Sequence, residues 1–167
     1  PDFGFNLHDQ TTLWSVTGSL KPATLSFLAP AVDYELSVDQ TRGNAMFVIA
    51  DIFNDVNPLL PKQIGLFDDE FEPRAFGDNF QKAGTSTILI EAGGYTNDPE
   101  KQEIRKHYFA SILSGLNSIS AKTYKKQQLA NYFAIPKNNK QIFHMLIHNV
   151  NLVSATVSVG INYDEYT

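Results

Sequence analysis

Apolar and polar positions change period several times along the chain, and each change marks an element. Residues 3–7, FGFNL, read as a short strand that delivers His8 at its end. Thr11 to Val16 alternates loosely, Gly18 to Lys21 is a turn, and Ala23 to Leu28 is a strand closed by Pro30. Together they predict a hairpin-like excursion after His8. From Asp39 to Asn57 the apolar residues Ala45, Ile49, Ile52, Phe53 and Val56 recur at helical spacing. Pro58 and Pro61 end that helix, because proline cannot continue the hydrogen-bond ladder. Gln63 to Gly84 keeps no period and carries the acidic run Asp68-Asp69-Glu70. A loop of that length in a compact domain is more often functional than idle.

Thr85 to Ile90, TSTILI, is the clearest strand, β-branched and nearly continuously apolar, as expected of a central strand covered on both faces. Glu91 stands at its end, followed by the turn Gly93-Gly94. A helix is predicted over 98–119, with Asp98 as N-cap, Pro99 at the first helical position and Glu100 near the positive end of the dipole. Ile104, Tyr108, Ile112, Leu116 and Ile119 form its apolar stripe. Beyond Ser120 the character changes. Tyr124 to Phe133 reads as a short helix or an extended connection, and 136–139 as a turn. Two strands follow over 142–147 and 152–161, with the bend at Asn149 to Asn151. The expected organisation is an α/β unit over 1–120 and a small β-rich accessory segment over 121–167.

Composition narrows the class. The 167 residues are 43% hydrophobic, 12% aromatic and 19% charged, the balance of a folded, enzyme-like domain. The net charge is −5 and no basic cluster exceeds Lys125-Lys126, which argues against nucleic acid. No apolar run approaches the roughly 20 residues that span a bilayer. With no cysteine, any metal must sit on His, Asp or Glu, and a reducing, cytoplasmic compartment fits. The start at Pro1, without a methionine or signal peptide, leads us to expect residues upstream.

Two residues stand out chemically. His8 is at a strand end, where a backbone-fixed imidazole can bind a metal; the competing reading is a hydrogen-bonded surface histidine. Glu91 is a carboxylate at the lip of a buried strand, costly there unless paired or working. It is either a general base with a raised pKa or a salt-bridge partner at a sheet edge. The acidic loop reads as solvated, without the ordered spacing of a calcium site. Arg74 and Asp78 are candidates to pair. Arg42 and Arg105 read as surface residues on helices, and His107, His144 and His148 as structural. No nucleophile elbow, phosphate loop, HExxH or dinucleotide fingerprint is present.

Read in order, FNLHDQ at 5–10, PATLSFLAP at 22–30, FEPRAFGDNFQKAGTSTILIEAGGY at 71–95 and NDPEKQEIRKHYFASILSGL at 97–116 resemble the C-terminal half of bacterial zinc carboxypeptidases of the carboxypeptidase A-like superfamily. The resemblance covers roughly residues 1 to 120. It implies the C-terminal half of an α/β/α mixed sheet. It also implies a zinc ion held by an early HxxE motif and a later histidine matched by His8, and a general base matched by Glu91. Peptide C-termini would be the substrate. The chain departs from the family in lacking HxxE, since Thr11, Ala110, Ile147 and Asn151 stand three residues after its four histidines. It also lacks the Asn-Arg pair that holds the substrate carboxylate; Arg74 is the candidate substitute. The tyrosine placed over the substrate in many members has no clear equivalent, the nearby aromatics being Phe67, Phe71 and Phe76.

One histidine cannot hold zinc tightly, because such sites use three or four protein ligands. The resemblance therefore implies an inactive chain by itself, partnered by the missing N-terminal half of the catalytic domain, with a homo-oligomer left open. Two other readings compete: a non-catalytic binding or assembly module on the same scaffold, and a zinc amidase or deacylase.

Overall fold

The computed structural model describes residues 2–10 and 13–163; Thr11 and Thr12, which open the expected alternating stretch, lie outside the described residues. The fold is α/β, with parallel and antiparallel strands in one central sheet. Its strands are β1 (Asp2–Asp9), β3 (Leu25–Leu28), β4 (Ile64–Leu66) and β5 (Thr85–Ala92), in the order β1-β5-β3-β4. A short β2 (Ser15–Val16) precedes β3 in the chain. The strand β5 takes an inner position, parallel to β1 and antiparallel to β3.

Side chains alternate across a strand, so register decides which residues share a face. Phe3 and Phe5 of β1 fall with Ile88 and Ile90 of β5, Leu25 and Phe27 of β3, and Ile64 and Leu66 of β4. That face is the apolar one, and α1 (Gln40–Val56) and α3 (Gln102–Ala121) cover it. Ala45, Ile49, Ile52 and Val56 of α1 are buried there, while Tyr108, Ile112 and Ile119 of α3 pack against the same core. The opposite face carries Asn6, His8, Ser26, Leu28, Thr87, Leu89 and Glu91. Its smaller and more polar side chains receive only a short helix, α2 (Phe76–Lys82), whose Gln81 accepts a hydrogen bond from the Thr87 N–H at 2.8 Å.

The three expected strands share this sheet, and both expected helices pack on it. Other expectations are corrected. The aperiodic 63–84 stretch contains β4 and α2, each too short to show a period. The second long helix begins at Gln102, after a turn through Pro99 to Lys101. Lys101, not Asp98, is the N-cap residue, but the Asp98 carboxylate accepts from the N–H groups of Gln102 and Ile104 at 2.8 and 3.0 Å.

Arg42 is not on the surface. It is 1% exposed, and its guanidinium makes four hydrogen bonds, three to backbone carbonyls and one to Asp69.

Residues 123–139 pack on the main body. Tyr124, at the 3₁₀ turn over Thr123–Lys126, and Tyr132, on α4 (Leu129–Phe133), join the core together with Ile135. The Tyr132 hydroxyl accepts from the Ala29 N–H at 3.2 Å. A short β6 (Asn138–Asn139) then pairs with β2.

The hairpin of β7 (Met145–Leu152) and β8 (Ala155–Ile161) forms its own sheet, with Met145, Leu146, Ile147 and Leu152 left exposed. Its turn falls between Leu152 and Ala155, not at Asn149 to Asn151. Asn149, at φ 59°, instead produces a break in register between Ile147 and Val150.

Asp51 of α1 is the joint between that helix and the end of α3. It accepts from the hydroxyls of Ser118 and Thr123 at 2.6 Å each, and from Gln127. Replacing Asp51 with alanine removes the acceptor common to three partly buried donors. We expect a loss of about 1–3 kcal/mol, measurable by urea unfolding.

Candidate active site

β1 and β5 run parallel, so their carboxyl ends lie side by side. His8 and Glu91 are register partners there, on the polar face. On the other side of β5, Ser26 of β3 is also the register partner of Glu91. The sheet thus fixes three polar side chains in one row: His8, Glu91 and Ser26.

His8 is exposed, and its Nε2 shares a hydrogen bond with Asn6 Oδ1 at 2.9 Å. The Tyr108 hydroxyl, from α3, lies 2.8 Å from the Ile90 carbonyl and 3.3 Å from the His8 carbonyl, its one proton shared between them. It bridges the ends of the two strands from the opposite face. Burial pushes its phenol up to about 12, so it remains a donor at neutral pH.

Glu91 is only 9% exposed. Its Oε2 accepts from Gln10 Nε2 at 3.0 Å, and its Oε1 has no hydrogen-bond partner among the described residues. Burial raises its pKa, and the Gln10 amide and nearby His8 offset this in part. No cation pairs with Glu91 in a salt bridge among the described residues.

His8 and Glu91 line a common cavity of about 210 Å³. Asn6, Leu28 and Leu89 form its floor, and the 67–78 segment brings Asp68, Glu70, Glu72 and Asp78 to its wall. The wall is strongly acidic. Burial raises the Asp78 pKa, whereas the Arg74 guanidinium holds Glu72 down at about 2. A larger cavity of about 390 Å³ lies along the same face at Asn6, Thr87, Phe76 and Phe80. It contains no titratable side chain, so acid–base chemistry belongs to the smaller one.

Arg74 does not pair with Asp78. It forks onto Glu72 with two bonds of 3.0 Å, is 88% exposed and does not line the cavity. Asp78 instead accepts from the Glu72 N–H at 3.0 Å. Asp69, from the acidic run, pairs with Arg42. His107 is buried within α3, which lowers its pKa, while His144 and His148 lie on the distant hairpin. Gln10 and Tyr108 belong to the site, although neither stands out chemically in the sequence. The adjacency of Gln10 to His8 is the one signal that points to it.

Zinc fits this donor set only in part. His8 offers one imidazole, and among the described residues no three His, Asp or Glu side chains converge where a metal could sit. No described helix is long and apolar enough to cross a membrane. No family model, curated protein or solved structure matches the chain.

The raised Glu91 pKa has a consequence for stability. The unfolded chain ionises at the ordinary glutamate value, whereas the folded chain holds the proton to higher pH. Stability from this group is therefore full below the ordinary value and falls as pH rises through the raised one. Glu91→Gln should raise Tm at pH 7, by roughly 2–4 °C for each kcal/mol recovered. The gain should vanish in melts below pH 4, where both side chains are neutral.

Proposed function

We propose that this chain supplies a zinc-ligating histidine, His8, and the general base, Glu91, of a zinc-dependent metallocarboxypeptidase. On this reading the remaining ligands would have to be supplied by an HxxE motif outside these 167 residues. The observation that carries the reading is the pairing of His8 and Glu91 at adjacent carboxyl strand ends on one cavity.

Zinc bound there would supply a coordinated water of lowered pKa. Within the chain, Asn6 orients the His8 imidazole and Tyr108 locks the two strand ends together. Glu91 takes a proton from the attacking water on its free Oε1 and later returns it to the leaving amine. Its raised pKa suits the first step, because a carboxylate whose acid is harder to ionise is a better proton acceptor. Arg74 can receive a substrate carboxylate only by giving up Glu72. The acidic wall favours the amidase or deacylase reading in one respect: it repels a substrate bearing a free carboxylate. An Asn-Arg pair in the upstream half would decide for the carboxypeptidase.

Calorimetry tests the division of ligands. This chain alone should bind zinc weakly or not at all at pH 7. One tight site in the isolated chain would require ligands other than those assigned.

A further inference from the structure

We infer that Gln10 is a positioning residue for Glu91: its side-chain amide clamps one carboxylate oxygen and leaves the other to face the cavity. The inference deepens the proposed function and rests on it for its catalytic consequence. The clamp itself stands on the geometry alone.

Gln10 follows the last residue of β1, and its N–H donates to the Ala92 carbonyl at 2.7 Å, extending the ladder by one step. Its side chain turns inward. Nε2 donates to Glu91 Oε2 at 3.0 Å and to Ser26 Oγ at 2.7 Å. Asn138 Nδ2 donates to the same Ser26 oxygen at 2.8 Å. Two amides and one hydroxyl thus form a fixed polar row behind Glu91, drawn from the ends of β1, β3 and β6.

The orientation of the Gln10 amide is set by charge. Its carbonyl oxygen would repel the carboxylate, so the amino group must face Glu91. The cost is visible on the far side. Gln10 Oε1 and Asn138 Oδ1 are both buried without a hydrogen-bond partner among the described residues. Such atoms are rare in folded proteins and cluster where another constraint holds the group.

Space for the row also comes from glycine. A Cβ at Gly93 would lie 2.6 Å from Gln10 Oε1 and closer still to the Ala23 carbonyl. A Cβ at Gly65 would collide with Asn138 Oδ1. Side chains are therefore absent at the two positions where the amides insert. A merely space-filling Gln10 would not need an orphaned oxygen.

A hydrogen bond from one amide removes a rotational freedom of the Glu91 carboxylate. Oε1 is then presented to the cavity in one direction, which is what a base needs for proton transfer.

The test uses Gln10→Met, which keeps length and loses the donor, and Gln10→Asn, which stays polar but is one methylene short. Circular dichroism checks folding of both. Crystal structures of the chain and its variants give the first readout. The Glu91 carboxylate should rotate or occupy more than one position in whichever variant folds. An unmoved carboxylate overturns the inference, whatever the activity. The second readout is kinetic, in the complete polypeptide bearing HxxE. The variants should lose about tenfold or more in kcat, with KM and zinc content unchanged. An unchanged kcat also overturns the positioning role. If the unsubstituted polypeptide has no peptidase activity, the proposed function fails, and the crystallographic readout alone decides the clamp.

Discussion

On the proposed function, Glu91→Gln, made in a polypeptide that supplies the HxxE motif, is expected to lower kcat by about 10²–10⁴-fold while zinc content stays at the unsubstituted level. Glutamine has nearly the shape of glutamate and can still accept the Gln10 hydrogen bond on its Oε1. It cannot take a proton from water. The site should remain formed, and the loss should fall on the chemical step, leaving KM within a few fold. His8→Ala should behave differently, losing metal and activity together because it removes a donor. Zinc analysis and steady-state kinetics on both variants separate the roles. Near-normal turnover in Glu91→Gln would sink the general-base assignment even with the fold intact.

Arg42→Met should strongly destabilise the chain. The Nε donates to the Ala29 carbonyl at 3.1 Å, Nη1 to the carbonyls of Leu36 and Ser37 at 2.7 and 3.3 Å, and Nη2 to Asp69 at 3.1 Å. Methionine fills similar volume and satisfies none of these acceptors. We expect a loss of about 3 kcal/mol, seen as a Tm drop of roughly 6–12 °C. Asp69→Asn should cost much less, because Asp69 is 32% exposed and water can replace its partner. Arg42→Lys should recover little, since one ammonium cannot reach acceptors on three sides. The Arg42→Met variant should also loosen the 67–72 segment that walls the cavity. A melt unchanged by Arg42→Met would mean these carbonyls are hydrated in solution.

The parts of the fold legible in the sequence are those where one pattern decides the outcome. TSTILI leaves β5 no surface position, and FGFNL sets β1 with His8 at its end. The parallel pairing of β1 with β5, which neither pattern specifies, then brings His8 and Glu91 together. Illegible features depend on distant backbone. Arg42 sits on an otherwise periodic helix, and its charge suggests solvent, but its partners are carbonyls of a loop with no pattern of its own. The Gln10, Ser26 and Asn138 row needs three segments, two of them far apart in the chain. Arg74 stands at helical spacing from Asp78, yet Glu72 is two residues away and wins by proximity. The hairpin turn misleads for a local reason. Asn149 and Asn151 are good bend residues, but the positive φ also falls on Val153, a β-branched residue that sequence reasoning does not assign there.

The most direct test of the central claim is anomalous diffraction at the zinc edge from crystals of the complete polypeptide. The predicted result is one zinc peak about 2.0–2.1 Å from an imidazole nitrogen of His8, with the Glu91 carboxylate one water away. A zinc ion bound elsewhere, with His8 still on Asn6 and Glu91 facing an unrelated pocket, would contradict it.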